Sequence, residues 1–396
     1  MNEHLYSLII FNGNEEIGRI TIKKEQFVYG RNEVEFLRKY IWISRQHFQI
    51  EIKGEKEKKE YVLTVKTNVI TFHNNKQIKR DIEIFINSLD IISIPIPKTS
   101  IRQNILFISK EFEEKEMCCC FYTKYQIIKF IGSGSFGKVF QIKRKSNNKI
   151  NAVKIIDITQ KKKSEIAQRE SEVLEQIHHQ NIIKKYETIQ SQRFMYIIME
   201  YIEGLTLEQY LQLKQHHIFN ENEIKIIIRQ VFNAINYLHS NKIIHRDLKL
   251  ENIMIRGKTN EEYNKLNIVV MDFGLGKILE TKEYTLTKCG TSNYTSPQIL
   301  QSGPYDGFKT DIWCCGVMLF YMSIGMFPFN QEGVNSSLIL RVNIRNGKIC
   351  HQKEFNMISL ELQDLIKNML MVDEQKRFTI QQCLSHEFVS LKHQKT

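Results

Sequence analysis

The stretch His245-Arg246-Asp247-Leu248-Lys249-Leu250-Glu251-Asn252 gathers an imidazole, two cations, two carboxylates and an amide, and Asp272-Phe273-Gly274 follows it. Phosphoryl transfer needs a carboxylate that orients the attacking hydroxyl and accepts its proton, and Asp247 fits that role. It also needs cations on the developing charge: Lys249 suits the γ-phosphate, while Asn252 and Asp272 supply oxygen donors for a magnesium ion. Upstream lies Gly132-Ser133-Gly134-Ser135-Phe136-Gly137-Lys138-Val139. Its glycines let backbone N–H groups approach phosphate oxygens with no Cβ in the way. Lys154 ends the strand-like run Asn151-Ala152-Val153-Lys154, and Glu170 sits on a helical pattern beyond it. A pair of that kind could hold an ammonium on the α- and β-phosphates. Any one of these motifs reads equally as a polar loop or a solvated charge; all of them in this order do not.

Elements must position these groups. Strand-like runs flank the glycine cluster over 127–140, and Ser164–His178 has its apolar residues Ile166, Val173, Leu174 and Ile177 at helical spacing. Longer helical patterns follow, such as Glu223–Leu238 and Leu360–Leu370. The first part of the chain has a different texture. Tyr6–Phe11, Gly18–Ile22, Gln26–Tyr29, His47–Ile52, Tyr61–Val65, Ile82–Ile86, Ile91–Ile96 and Ile105–Ile108 are short runs rich in β-branched and aromatic residues. Charged or Gly/Asn turns divide them, as in a sandwich. The Lys/Glu run 53–60 reads as a solvated hairpin loop. The expected architecture is multidomain: an all-β sandwich over 6–110, a linker over 111–124 marked by the acidic stretch Glu111–Glu116, and a bilobal α+β fold over 125–388.

With 396 residues, 42% hydrophobic and 25% charged, the composition is that of a folded two-domain protein rather than a disordered or fibrous one. No apolar run of about 18 residues suggests a membrane span. The N-terminus lacks a signal-peptide layout, and eight cysteines, three of them consecutive at Cys118–Cys120, make a poor disulfide framework. An intracellular setting is expected. The net charge of +12 favours acidic or phosphorylated partners without implying direct nucleic-acid binding.

Residues 125–388 resemble a eukaryotic protein kinase domain, whose signature set is the group of motifs quoted above. The resemblance implies an active ATP- and magnesium-dependent kinase with Asp247, Lys249, Asn252, Asp272, Lys154 and Glu170 in the catalytic machinery. It implies an ATP site formed by Ile131, Gly132, Ser133, Gly134, Ser135, Phe136, Gly137, Lys138, Val139, Ala152, Lys154, Met199, Glu200, Ile202, Glu251, Asn252, Met254 and Asp272. Magnesium would rest on Asn252 and Asp272. Met199-Glu200-Tyr201-Ile202 resembles the adenine hinge, and Gly290–Gln298 the end of the activation segment, with Thr287 as the phosphosite. Lys249 argues for serine/threonine acceptors, and the pattern leans towards the calcium/calmodulin-dependent-like group. Three departures stand out. Gln298 replaces a glutamate that would pair with Arg377, Lys185 replaces an apolar residue behind the helix of Glu170, and Thr206 and Val342 replace carboxylates that select basic substrates.

In the β block, Gly30-Arg31, Ser44-Arg45-Gln46-His47 and Thr67-Asn68 bring a guanidinium, a hydroxyl and an amide to sandwich-end loops, a set suited to a phosphate. Together they resemble the forkhead-associated (FHA) phosphothreonine-binding domain. That resemblance puts Arg31, Ser44, Arg45, Thr67 and Asn68 on a phosphopeptide and makes His47 structural. The order of domains is similar to checkpoint-type kinases, implying protein substrates, phosphothreonine-containing partners, a transient homodimer for autophosphorylation and a nuclear or cytoplasmic location. Two alternatives stay open at this point: a phosphopeptide-binding scaffold on an inactive kinase fold, and an active kinase whose β block is only a structural cap.

Overall fold

A computed structural model of the chain describes residues 5–390 apart from 13–14, 33, 38–42, 54–59, 75, 98, 100–101, 110–119, 134–136, 258–265, 279–291, 302, 332 and 334–335. The chain divides into two compact units, one of Met1–Lys163 with Glu187–Tyr201, the other of Ser164–Tyr186 with Ile202–Thr396.

The first unit opens with β1 (Tyr6–Asn12), β2 (Glu15–Ile22), β3 (Gln26–Tyr29), β4 (Phe48–Lys53) and β5 (Glu60–Val65). It continues with β6 (Thr71–His73), β7 (Lys76–Ile78), β8 (Glu83–Ile86), β9 (Ile91–Pro95) and β10 (Arg102–Ser109). They form one sheet in the order β2-β1-β10-β9-β6-β7 and another in the order β3-β4-β5-β8. Alternation decides which side chains turn inward. Tyr6, Leu8 and Ile10 of β1 are fully buried with Phe48 and Ile50 of β4, Leu63 of β5 and Phe107 of β10 in one core shared by both sheets. The strands β6 and β7 are absent from the sequence expectation, because three-residue strands show too little alternation to register.

The same unit then carries helix α1 (Cys120–Lys124) and strands β11 (Tyr125–Ser133), β12 (Lys138–Arg144), β13 (Ile150–Asp157), β14 (Lys185–Gln190) and β15 (Phe194–Glu200). Their sheet order is β11-β12-β13-β15-β14. The last five residues of the expected linker are therefore helical. Phe121 on α1 is fully buried, its ring stacked 4.4 Å from that of Tyr196 and 5.6 Å from that of Tyr125. A large aromatic that packs this deeply anchors the helix against the sheet.

Helix α2 (Lys161–Glu175) leads into the second unit, where the elements are α3 (Leu207–Leu213), α4 (Glu221–Ser240), α5 (Pro297–Leu300), α6 (Gly307–Ile324), α7 (Ser337–Asn346), α8 (Gln352–Phe355), α9 (Leu360–Met369) and α10 (Ile380–Ser385). Capping boxes start α3 at Thr206 with Gln209 and α4 at Asn220 with Glu223, satisfying amides that the first helical turn leaves without partners. The inward face of α4 carries Ile224, Ile227, Ile228, Val231, Phe232, Ile235 and Leu238, all buried at helical spacing. Helix α6 is apolar on every side and is buried almost throughout, so it forms the axis of the unit's core. Short strands β16 (Gly204–Thr206), β18 (Ile253–Arg256) and β19 (Asn267–Val270) form one sheet, while β17 (Ile243–Ile244) pairs with β20 (Lys277–Ile278). Among the described residues no helix is long and apolar enough to cross a membrane.

Candidate functional site

In the second unit, strand β17 delivers the chain into the 245–252 loop and a hairpin takes it away. Ile253 pairs with Val270 and Met254 with Val269. This register sets Asn252 and Met271 side by side, with Met271 N–H donating to the Asn252 carbonyl at 2.8 Å. Asn252 and Asp272 therefore stand at the same end of one hairpin, although twenty residues separate them in sequence. Lys249 Nζ lies 2.7 Å from Asp247 Oδ2. Asn252 Nδ2 donates to the Asp247 carbonyl at 2.8 Å and to its Oδ2 at 3.0 Å. The amide nitrogen of Asn252 is committed to Asp247, so Oδ1 is the atom suited to a hard cation. Arg246 and Asp272 take φ values of 67° and 59°, the left-handed region that is uncommon for non-glycine residues.

Asp311 on α6 holds this loop in shape. Its carboxylate accepts the N–H groups of His245 at 3.0 Å and Arg246 at 2.9 Å, and it lies 3.0 Å from His239 Nε2. Full burial by itself would raise the carboxyl, yet the bond and charge of His239, the charge of His245 and the His245 N–H hold it below its ordinary range. His245 Nε2 in turn meets the Met271 carbonyl at 3.0 Å, and its ring packs 4.8 Å from Phe273. Arg246 is 3% exposed; its Nε donates to the Leu275 carbonyl at 2.6 Å, and its Nη1 has no hydrogen-bond partner among the described residues. Thr281, Thr285, Thr287, Gly290 and Thr291 lie outside the described residues. Of the remaining groups in this unit, Glu170 is buried on α2, and Ile202 and Asn252 are buried while Glu251 is exposed.

In the first unit, Ala152 and Lys154 sit two residues apart on β13 and share a face. Both are buried, and Lys154 pairs across to Val139 on β12 and to Ile197 on β15, while Ala152 pairs with Met199. Met199, Glu200, Ile131, Gly132 and Val139 are partly or largely exposed. Gly137 needs its missing side chain, because a Cβ there would come within 2.7 Å of the Ile155 carbonyl. Gly134, Ser135 and Phe136 lie outside the described residues, as does the Ser133 side chain.

The three departures have local explanations. Gln298 Oε1 accepts from Arg377 Nη2 at 2.8 Å while Gln298 Nε2 donates to the Val372 carbonyl at 2.6 Å. Lys185 buries its stem, and its ammonium donates to the Ser171 carbonyl and Oγ, each at 3.0 Å, and meets Glu175. Thr206 serves as the cap of α3, and Val342 is exposed on α7. Glu208, two residues past Thr206, was invisible in the motif pattern: burial and then the charge of Glu251 raise its carboxyl.

A second cluster occupies the loops at one end of the sandwich. Gly30 passes so close to Arg45 that a Cβ would sit 2.1 Å from its carbonyl oxygen, so only glycine fits. Arg31 N–H donates to the Ser44 carbonyl at 3.1 Å, and the hydroxyls of Ser44 and Thr67 meet at 2.6 Å. Behind them His47 is fully buried and accepts the Ser44 N–H on Nδ1 at 3.3 Å, which makes Nε2 the protonated nitrogen facing Thr71 Oγ1 at 3.0 Å. Burial pushes the imidazole down to about 4, so it stays neutral at ordinary pH. The buried Nε of Arg31 has no partner among the described residues, while Arg45 and Asn68 are exposed. The sequence expectation grouped these loops, and the structure brings Arg31, Ser44 and Thr67 together.

Comparison with known proteins matches residues 125–389 to the protein kinase domain. The chain belongs to the protein kinase family. It is similar to a probable serine/threonine-protein kinase, fhkC, of Dictyostelium discoideum, at 34% identity over 338 residues, covering 82% of this chain and 54% of that one. That coverage exceeds what residues 125–396 alone could supply, so the likeness extends into the β block. It is also similar to calcium-dependent protein kinase 4 of Plasmodium berghei (36% identity, 68% of this chain, 50% of that one). The serine/threonine protein kinase OSK3 of rice is 31% identical over the same shares of the two chains. The chain spans about half the length of these relatives.

Proposed function

We propose that the chain is a serine/threonine protein kinase that transfers the γ-phosphate of ATP to protein hydroxyls and reads phosphothreonine through its β block. The observation that carries the first half is the Asp247–Lys249–Asn252 cluster at the mouth of the hairpin that also bears Asp272. Asp247 accepts the proton of the incoming hydroxyl, Lys249 steadies the γ-phosphate, and Lys154 and the glycine-rich turn suit the remaining phosphates. Asn252 Oδ1 and Asp272 fit a magnesium ion, which on binding would neutralise phosphate charge. Asp272→Ala should leave the fold intact and remove nearly all transfer to a protein substrate. Wild-type-like turnover in that variant would refute the assignment.

The second half rests on the Arg31–Ser44–Thr67 loop cluster, in which the Arg31 backbone bonds the Ser44 carbonyl and the hydroxyls of Ser44 and Thr67 meet at 2.6 Å. Those groups suit a dianionic phosphate, with Arg45 and Asn68 on its rim and on the peptide. The likeness to the Dictyostelium kinase also runs into the β block. Titration calorimetry should show that Arg31→Ala loses binding of phosphothreonine peptides; equal affinity of the wild type for phosphorylated and plain peptides would make the block a cap. The orphaned Arg246 nitrogen supports activation by a phosphate at Thr287, delivered within a transient homodimer, and an undiminished rate in Thr287→Ala would dismiss it. A nuclear or cytoplasmic role in checkpoint-type signalling completes the proposal.

A further inference from the structure

The β block meets the small sheet of the same unit in a contact that the proposed chemistry does not use. The turn Asn87-Ser88-Leu89-Asp90 leads into β9, and Leu89 takes a φ of 71°, which a bulky residue avoids unless its surroundings enforce it. Three backbone bonds enforce it here: Leu89 N–H to the Phe107 carbonyl at 2.7 Å, Asp90 N–H to that of Asn87 at 2.9 Å, and Phe107 N–H to that of Asp90 at 3.0 Å. The strained turn aims the Asp90 carboxylate. Its Oδ2 accepts the Asn87 N–H at 2.9 Å and lies 2.8 Å from His73 Nε2. Its Oδ1 accepts from Asn74 Nδ2 at 2.8 Å and from Lys138 Nζ at 2.9 Å.

The first three partners belong to the β block and would satisfy a turn. Lys138 does not belong to it. It opens β12 immediately after Gly137 of the glycine-rich turn and pairs with Ile155, the neighbour of Lys154. The side chains of Asp90 and Lys138 are only 10% and 19% exposed, so solvent ions screen the pair weakly. Burial by itself would raise the Asp90 carboxyl, but His73, Lys138, Asn87 and Asn74 together hold it well below the ordinary carboxylate range. Strands β2 and β11 of the two sheets also approach each other.

We infer that Asp90 is a positioning residue for nucleotide binding: it fixes Lys138 at the start of β12, directly after Gly137, so that the β block acts as a built-in brace of the ATP-side sheet. This rests on the kinase reading for its kinetic consequence, whereas the brace itself does not.

Two measurements on the full chain separate these. In steady-state kinetics, Asp90→Asn and Lys138→Met should each raise KM for ATP about fivefold while changing kcat less than about twofold, the pattern of lost ground-state positioning. The double variant should be no worse than Lys138→Met alone, because Asp90 acts through that lysine. A normal KM in Asp90→Asn beside a raised one in Lys138→Met, or fully additive effects, would overturn the inference. Hydrogen exchange reads the brace without catalysis and without disturbing the Asp90 turn directly. Lys138→Met should speed exchange of the amides at Leu89 and Asp90, and unchanged protection there overturns the brace. If the wild type shows no transfer at all, the kinase reading fails while the exchange result still decides the contact.

Discussion

Replacing Gln298 with alanine removes two hydrogen bonds, one of them to Arg377, which is among the most deeply buried cations of the described residues. Arg377 is 1% exposed, and burial draws its guanidinium down to about 10, so each partner that keeps it charged matters. Gln298 supplies one such bond to Arg377 Nη2 and a second, from its own amide, to the Val372 carbonyl. A bond to a charged group contributes about 1.5–3 kcal/mol and a neutral one about 1 kcal/mol. Arg377 keeps its bonds to the Met371 and Lys309 carbonyls, so alanine leaves it poorer but not stranded. The loss should therefore fall near the lower end, about 2.5 kcal/mol. Gln298→Glu restores an ion pair but deletes the donor to Val372 and turns a carboxylate oxygen toward that carbonyl. Gain and loss are similar in size, and the glutamate variant should stay within about 1 kcal/mol of the wild type. Trp313, whose ring lies 5.0 Å beneath the Arg377 guanidinium, reports this region directly by fluorescence during urea unfolding. Alanine equal to wild type would show that Arg377 needs nothing from position 298. A glutamate variant more stable by about 2 kcal/mol or more would show that the Val372 bond counts for little and that glutamine is a handicap here.

His47 makes a pH prediction. Its folded value of about 4 lies below the ordinary 6.5, so the unfolded chain binds the extra proton between those values. The contribution is fully present above about pH 6.5 and is lost as pH falls toward 4, to a limit of about 3 kcal/mol. Exchange protection in β4 and β5 should fall on acidification in the wild type and fall less in His47→Gln; parallel profiles would count against it. Lys185→Met keeps the buried stem and loses the bonds to Ser171 and Glu175. Because Glu175 is largely exposed, the Ser171 bonds dominate, and exchange in the middle of α2 should speed up about fivefold, or about 1 kcal/mol. Unaltered exchange there would mean that the ammonium does not secure the helix carrying Glu170.

Asp247, Lys249 and Asn252 were legible in the sequence because they lie within six residues, and a short loop that must present an acceptor, a cation and an amide together has few ways to be written. The helices α4 and α9 and most strands of the sandwich were legible because burial of one face imprints a period of 3.6 or 2 on the chain. Local pattern carries no information about which distant group completes a pair. That Asp311 pins the backbone of His245 and Arg246, that glutamine at 298 bonds both Arg377 and Val372, that Lys185 reaches Ser171, and that Asp90 takes Lys138 as a fourth partner all depend on segments brought together from far apart in the chain. Periodicity says which face of an element avoids water. Only packing decides what that face meets, since desolvation and hydrogen bonding are settled by neighbours in space and not in sequence.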